Sequence, residues 1–302
     1  MSALRETPPD QGMAGAAATD MAETPSFLRR YARNPVAVGA AFTLAAMVVL
    51  AVFAPLITHR APNATDIAVL NQGPGAGHLL GTDDLGRDEF ARLIYGGRVS
   101  IAVGVVAASI SMLVGILVGA TAGYFGRWVD NVLMRFVDIV LSIPAIALLI
   151  VVAAIVPKPG VTTVMMVIGL VSWPGVARIV RAEFLSLRQR EFVEAEKAAG
   201  ASGSRIMWRH LLPNAMAPII VAAALGVANA ILTEAALSYL GLGVQQPVPS
   251  WGNMLQAASN WRALAYFWWQ WVPAGVAILL TTVSIYVMGD ALRDSLDPRL
   301  RL

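Results

Sequence analysis

Long apolar runs separated by short polar segments dominate the pattern along the chain. Residues 1–26 contain no such run and are rich in Ala, Pro, Gly, Thr and acidic residues, which predicts a flexible tail. Six nearly uncharged runs follow: Val36–Ile57, Val99–Phe125, Ile139–Val156, Val161–Ala177, Ala215–Leu232 and Val272–Gly289. A helix of about 20 apolar residues crosses a bilayer. The pattern therefore predicts an all-α integral membrane protein with six transmembrane helices.

Composition supports this prediction. Of 302 residues, 57% are hydrophobic and 14% are charged, with a mean hydropathy of +0.65. Soluble domains have about 25% charged residues. One apolar run can be a buried helix of a soluble protein, but six in one chain argue against an ordinary soluble enzyme.

The distribution of Lys and Arg predicts the orientation. With the N-terminus inside, most of them fall in inside segments, notably at 29–33 and 178–209. Loops on the cytoplasmic side carry such an excess. We therefore expect both termini in the cytoplasm and attribute the net charge of +3 to these loops, with no nucleic-acid partner. Aromatic residues at 266–271 are expected to anchor the outer end of the sixth span.

The sequence offers few residues suited to a disulfide, a metal site or catalysis. It has no cysteine, and its three histidines are far apart, so we expect no disulfide, metal site or catalytic residue. A P-loop requires Gly-Lys followed by Ser or Thr. The two lysines follow Pro157 and Glu196 instead. The chain is thus predicted to be a non-enzyme without a cofactor, and any driving nucleotide must bind another subunit.

Few residues within the spans suggest a role. No ionisable residue lies in the middle of a span, which weakens an ion-coupled mechanism. Glu234, near the outer end of the fifth span, and Asn229 are candidates for the pathway or outer gate. The alternative for Glu234 is a structural hydrogen bond to a neighbouring helix.

Small residues and prolines indicate close packing and bends. Gly115, Gly119 and Gly123 are spaced for close helix approach, either within the chain or to another subunit. Pro144 and Pro174 lie within the third and fourth spans, where proline bends helices.

The segment 178–213 predicts a helix, a sharp turn and a second helix on the cytoplasmic face. Good helix formers extend from Glu191 to Ala199, with Phe192, Ala195 and Ala199 on one face. Gly200 is suited to end that helix, and Ser202 or Ser204 to cap the next.

This segment resembles the signature of permease subunits of bacterial ABC importers, E-A-A, three residues, G, nine residues, I-x-L-P. Glu194, Ala195, Gly200, Leu212 and Pro213 match, whereas Glu196 and His210 depart from it. The resemblance is closer to the C-type subunit of the dipeptide/oligopeptide permease family, for which His-x-Leu-Pro is a familiar variant. Residues 78–100, 237–255 and 289–299 also resemble this subfamily, so the likeness covers about residues 27–302.

The resemblance implies a type I ABC importer permease fold in a bacterial plasma (inner) membrane. It implies a heterodimer with a sister permease, two ATPase subunits that bind ATP and Mg²⁺, and an extracytoplasmic substrate-binding protein. The loop would dock into an ATPase groove through Glu194, Ala195, Ala199, Gly200, Arg205, Arg209, Leu212 and Pro213. Arg205 and Arg209 have an alternative role, which is contact with anionic membrane lipid.

The external segments contain candidate contacts for the binding protein: Asp83, Asp84, Arg87, Asp88 and Trp251. The alternatives are a surface network among the charged residues and a purely structural role for Trp251. The expected organisation is an N-terminal segment (27–98) with the first span and an external loop, a permease core (99–292) with the coupling loop 182–213, and a cytoplasmic tail (293–302).

Three other functions remain open. The same machinery imports nickel chelates, glutathione or other small solutes in related systems. An ion-coupled secondary transporter would predict charges at mid-membrane and usually an internal repeat, and neither is found. A structural or receptor subunit gives no reason for the helix–Gly–helix loop.

Overall fold

The chain folds into a bundle of long helices. A computed structural model describes residues 34–155 and 160–296, and its regular structure there is helical apart from one isolated bridge between Thr82 and Asp88. The main helices are α1 (Pro35–Val52), α2 (Glu89–Phe125), α3 (Arg127–Ser142), α4 (Ala145–Ile155), α5 (Val161–Leu187), α6 (Glu191–Ala198), α7 (Met216–Tyr239), α8 (Trp251–Leu255) and α9 (Val272–Leu296). The tail predicted for residues 1–26, the basic cluster at 29–33, Lys158 and residues 297–302 lie outside the described residues.

The number of membrane-spanning elements agrees with the prediction. Five of the described helices, α1, α2, α5, α7 and α9, are long and apolar enough to cross a membrane, and the bent pair α3–α4 gives a sixth crossing. The predicted all-α fold with six spans is confirmed.

The third span is not the single helix that the sequence predicted. α3 and α4 meet at Ile143 and Pro144, where the axis bends by 80°. Proline lacks an N–H and disfavours helical geometry in the preceding residue, so the hydrogen-bond ladder stops there. Pro174, in contrast, stays inside a continuous α5.

Helix boundaries depart from the apolar runs. α2 begins at Glu89, well before the predicted Val99, because the Asp88 carboxylate caps the helix by accepting from the Ala91 N–H at 2.8 Å. α5, α7 and α9 continue beyond the predicted ends, and the predicted coupling loop therefore begins after Leu187. The first span ends early, at Val52, and a separate short helix covers Ala54–Ile57.

The glycine row of α2 packs within the chain. A Cβ on Gly115, Gly119 or Gly123 would lie 2.4–2.6 Å from atoms of Val176, Ala177 and Phe184, respectively, on α5. This settles the two alternatives for the row in favour of intramolecular packing. The matching residue order also shows that α2 and α5 run parallel, so α3 and α4 together return the chain across the bundle.

The remaining long helices complete the core with antiparallel contacts. Gly104 of α2 packs against Ile231 of α7, and Gly289 of α9 packs against Leu225 of α7. One end of the bundle, called the outer end after the predicted orientation, carries residues 58–100 and 240–271. The opposite, inner end carries α3, α6 and the segment 199–215.

Candidate functional site

The helix–turn segment at the inner end has the predicted form. α6 ends at Ala198, and Gly200 takes a left-handed conformation with φ of +78°. The Ser202 hydroxyl accepts from the Arg205 N–H at 3.4 Å and caps the next helical turns, as one of the two predicted caps. These turns run through a π-helical stretch at Ile206–Leu211 to Leu212–Asn214. The segment is thus a hairpin of two short helical pieces.

Apolar side chains on the buried face of the hairpin anchor it to the helix bundle. Val193, Ile206 and Leu211 are fully buried and pack in a cluster with Phe184 of α5 and Ala120 of α2. Gly203 also approaches Tyr124 closely, because a Cβ there would lie 2.9 Å from the Tyr124 hydroxyl oxygen. The hairpin therefore rests on the inner ends of α2 and α5.

The outward face of the hairpin is open. Its exposed residues include most of the predicted docking residues: Glu194, Ala195, Ala199, Gly200, Arg205, Arg209 and Pro213. Leu212 is partly buried and packs against the anchoring cluster. Phe192, Ala195 and Ala199, predicted to share a face, are all exposed, and the residue that packs inward is Val193. Arg205 and Arg209 make no ion pair within the described ranges.

Ion pairs join α5 to α3 at the inner end of the bundle. The Arg181 guanidinium on α5 donates to both oxygens of Asp130, with Nη2 to Oδ2 at 2.6 Å. Arg178, one turn before Arg181 on α5, pairs with Asp138, about two turns after Asp130 on α3. The Arg188 guanidinium donates to the Tyr124 carbonyl oxygen at 2.8 Å. The inner ends of α2, α3 and α5 are thereby connected, and the hairpin packs on α2 and α5.

A cavity of about 290 Å³ lies between α2, α5 and α7. Small residues line most of it, and four polar side chains face it: Ser111, Ser172, Asn229 and Thr233. Asn229, predicted as a pathway residue, is exposed there, and its Oδ1 accepts from the Tyr286 hydroxyl at 2.8 Å. The cavity has no charged residue in its lining.

Glu234 does not line this cavity. Its side chain is fully buried and accepts hydrogen bonds from three serine hydroxyls, Ser100 at 3.0 Å, Ser238 at 2.7 Å and Ser250 at 2.9 Å. Ser100 also accepts from the Trp251 N–H, so the network joins α2, α7 and α8. This geometry favours the structural alternative for Glu234 over an outer gate.

The acidic and basic residues at the outer end form a buried network. Asp83 pairs with Arg87, with Nε to Oδ2 at 2.6 Å, and also accepts from the backbone N–H of Leu85 and of Arg87. Asp88 accepts from His78 at 2.8 Å. Breaking such a buried pair costs about 3–5 kcal/mol, far more than an exposed pair. These contacts shape the loop before α2.

Four of the five residues predicted to contact the binding protein are buried within the chain. Asp83, Arg87 and Asp88 are at most 7% exposed, and Trp251 is 2% exposed with its indole N–H donating to the Leu93 carbonyl oxygen at 2.9 Å. Their polar groups have partners inside the chain, which favours the structural alternatives for these four residues, and their contact with a binding protein stays a prediction. Asp84 is exposed, and its contact stays a prediction.

A second cavity, of about 500 Å³, opens at the outer end beside this network. Its lining includes Asp84, Arg87, Glu89, Arg92 and Arg262. Glu89 and Arg92 are 3% and 2% exposed and were not among the predicted site residues. The signal that could have identified them is the density of charge between residues 83 and 92, immediately before an apolar run.

Two sequence families match this chain. The family described as binding-protein-dependent transport system inner membrane component matches residues 111–302. The family described as the N-terminal TM domain of oligopeptide transport permease C matches residues 26–74.

Individual proteins and solved structures are also similar. The dipeptide transport system permease protein DppC of Alkalihalophilus pseudofirmus is 40% identical over 89% of this chain and 88% of its own length. The oligopeptide transport system permease protein OppC of Bacillus subtilis is 39% identical over 90% and 88%. An inward-facing structure of the MetNI methionine ABC transporter matches 68% of this chain and 97% of its own chain, with a TM-score of 0.56 and 20% identity. That likeness shows a shared fold.

Proposed function

This chain belongs to the family of binding-protein-dependent transport system inner membrane components, and on that premise we propose that it is one permease subunit of an ATP-driven importer of dipeptides and oligopeptides. The names of relatives that match nearly the whole chain support this cargo. The subunit would pair with a different, sister permease in a bacterial plasma membrane, with both termini in the cytoplasm. It would supply half of the pathway and catalyse no reaction itself.

The observation that carries the proposal is the hairpin at the inner end, which is anchored on one face and exposed on the other. Glu194, Ala195 and Ala199 are exposed, while Val193 and Ile206 hold the base against α2 and α5. A groove on an ATPase subunit would receive the exposed face. Since the hairpin packs on the inner ends of α2 and α5, and ion pairs join α5 to α3, a displacement of the hairpin would move these helices as one body. ATP and Mg²⁺ would be bound by the two ATPase subunits.

The cavity between α2, α5 and α7 is the proposed half-pathway. Hydroxyl and amide groups of Ser111, Thr233 and Asn229 offer hydrogen bonds to peptide groups without holding them by charge. A transported solute must leave as readily as it binds, and neutral polar groups suit that requirement. The sister permease would close the open side of the cavity.

The outer end would meet the substrate-binding protein. Asp84 is an exposed carboxylate there. At the inner end, the unpaired Arg205 and Arg209 would contact either the ATPase or anionic headgroups. Membrane lipid would cover the exposed apolar faces of α1 and α4, which include Phe42 and Ile155.

Reconstitution tests the proposal. We would co-purify this chain with its sister permease and ATPases, place the complex in proteoliposomes, and measure uptake of radiolabelled alanyl-alanine and tetra-alanine with and without binding protein and internal or external Mg-ATP. The expected result is peptide uptake that requires ATP and the binding protein and continues in the presence of a proton ionophore.

Other outcomes would contradict the proposal in distinct ways. Uptake of glutathione or a nickel chelate, but not of peptides, under the same conditions would retain the proposed ATP-driven importer and contradict its peptide cargo. Uptake without ATP that stops when the ion gradient is collapsed would instead indicate a secondary transporter.

A further inference from the structure

Two ionisable side chains of opposite type line the outer cavity of about 500 Å³. One is Glu89, at the first position of α2, and the other is Arg262, in the short helix Trp261–Tyr266. Neither makes a side-chain hydrogen bond or ion pair within the described ranges. The two lie in the lining of the same cavity.

Glu89 is the more unusual of the two. It is 3% exposed, and its Oε2 is a buried oxygen without a hydrogen-bond partner in the structure. A buried carboxylate without a partner is costly, and native proteins retain few such groups. An ammonium group in the cavity would satisfy it.

The neighbouring arginines do not supply that partner. The Arg87 guanidinium donates through Nε to Asp83 at 2.6 Å and through Nη1 to Gln246 at 3.0 Å. Arg92 donates to the Pro62 carbonyl oxygen and to Gln246, both at 3.3 Å. Both arginines donate to other acceptors, and neither makes a hydrogen bond or ion pair with Glu89 within the described residues, although all three line the same cavity.

Arg262 provides the opposite charge on the open side. Its backbone N–H donates to the Asn260 side-chain oxygen at 2.9 Å, which caps the start of the helix, while its side chain is exposed. A guanidinium with free donors binds carboxylates well, because its fork of N–H groups matches two oxygens.

We propose that this outer cavity is a binding subsite for a short peptide with free termini, whose ammonium group pairs with Glu89 and whose carboxylate pairs with Arg262. The inference rests on the proposed function and names a substrate class for it, unblocked zwitterionic peptides. The cavity volume lies within the range of about 300–1,000 Å³ typical of small-ligand sites. Apolar lining from Met254 and Phe267 offers contacts to the side chains of the peptide.

Direct binding in the assembled complex tests this subsite. The complex with sister permease and ATPases, without binding protein, would be placed in nanodiscs, and equilibrium binding would be measured for alanyl-alanine, N-acetyl-alanyl-alanine and alanyl-alaninamide. The variants are Glu89→Gln and Arg262→Gln. The matched control is Asp66→Asn, which removes an exposed outer carboxylate while keeping an oxygen that can accept from the Ala68 N–H, as Asp66 does at 2.9 Å.

The expected result is a loss of affinity for alanyl-alanine in each of the two variants. Glu89→Gln should weaken binding of alanyl-alanine by about tenfold or more, because a hydrogen bond to a charged group is lost, and should leave the acetylated peptide, already weak, unchanged. Arg262→Gln should weaken alanyl-alanine by a similar factor and leave the amide unchanged. Asp66→Asn should bind like the unmodified protein.

Equal binding of the blocked and unblocked peptides, or unchanged affinity in both variants, would overturn the subsite. If Glu89→Gln fails to assemble, as judged by size-exclusion chromatography, the exposed Arg262→Gln with the amidated peptide decides alone. ATP-driven uptake is measured in parallel with the binding protein present. Normal peptide uptake without binding at this cavity would reject the subsite and retain the proposed function, whereas absent peptide uptake would reject the function.

Discussion

Individual buried polar residues hold the outer end of this protein together. Glu234 accepts from three serine hydroxyls, and Asp83 combines an ion pair with two backbone N–H contacts. In both cases one carboxylate connects a loop to a long helix. Such groups are expensive to bury alone but stabilise the fold when all their hydrogen-bonding positions are used.

Substitution of Glu234 separates the structural role from a pathway role. Glu234→Ala leaves three buried hydroxyls without their acceptor, at about 1–3 kcal/mol for each group left unsatisfied, so the thermal midpoint of the complex should fall. Glu234→Gln keeps an oxygen acceptor, and its peptide KM should stay within about twofold of the unmodified value. Thermal unfolding and uptake kinetics measure the two effects.

Ser109→Ala is the control, because that serine is exposed on α2 and donates only to the carbonyl oxygen of Val105. A higher KM in Glu234→Gln with an unchanged thermal midpoint would instead assign Glu234 to the pathway.

At the scale of elements, the hairpin at the inner end combines a rigid base with an open face. α6 is too short to be stable alone, and its order comes from Val193 packing against the ends of α2 and α5. The turn depends on Gly200, whose φ of +78° is accessible to glycine and rarely to other residues. Docking and turn geometry are therefore separable by mutation.

Gly200→Pro should uncouple ATP hydrolysis from uptake. Proline fixes φ near −65°, which is incompatible with the observed turn, so α6 would change its angle to the ATPase. Glu194→Lys should have the same effect by reversing a charge on the exposed face. ATPase activity should persist in both variants while peptide uptake falls about tenfold or more, as measured in the same proteoliposomes.

Gly160→Pro is the matched control, since Gly160 has a φ of −78° and a Cβ there meets nothing within 4 Å. Normal uptake in both Gly200→Pro and Glu194→Lys would remove the hairpin from the coupling mechanism.

At the scale of the whole molecule, the directions of the helices determine at which end of the bundle each candidate functional surface lies. α2 and α5 run parallel through the glycine row, and the bent pair α3–α4 provides the crossing between them. The hairpin and the charged outer network consequently lie at opposite ends of the bundle. This arrangement separates the surface proposed to meet the ATPases from the surface proposed to meet the binding protein.

The absence of cysteine allows a direct test of this sidedness. A membrane-impermeant maleimide added to intact cells should label Asp84→Cys, an exposed position at the outer end, and should spare Asn131→Cys, an exposed position at the start of α3. After permeabilisation both should be labelled, which controls for reactivity. The reverse pattern in intact cells would invert the proposed orientation.

Local patterns along the chain were sufficient for a large part of this description. Apolar runs predicted the six crossings, because a bilayer imposes the length and composition of any helix that spans it. Gly200 and the serines after it predicted the hairpin, since caps and left-handed turns depend on neighbouring residues. These features depend on residues close in sequence.

Contacts between distant residues required the tertiary structure. The burial of Trp251 and the cavity shared by Glu89 and Arg262 involve segments that meet only after the bundle forms. A charged stretch such as residues 83–92 has the same sequence whether it faces solvent or packs beneath Gln246. Burial depends on which segments pack over a residue, and the packing of the whole chain determines which segments these are.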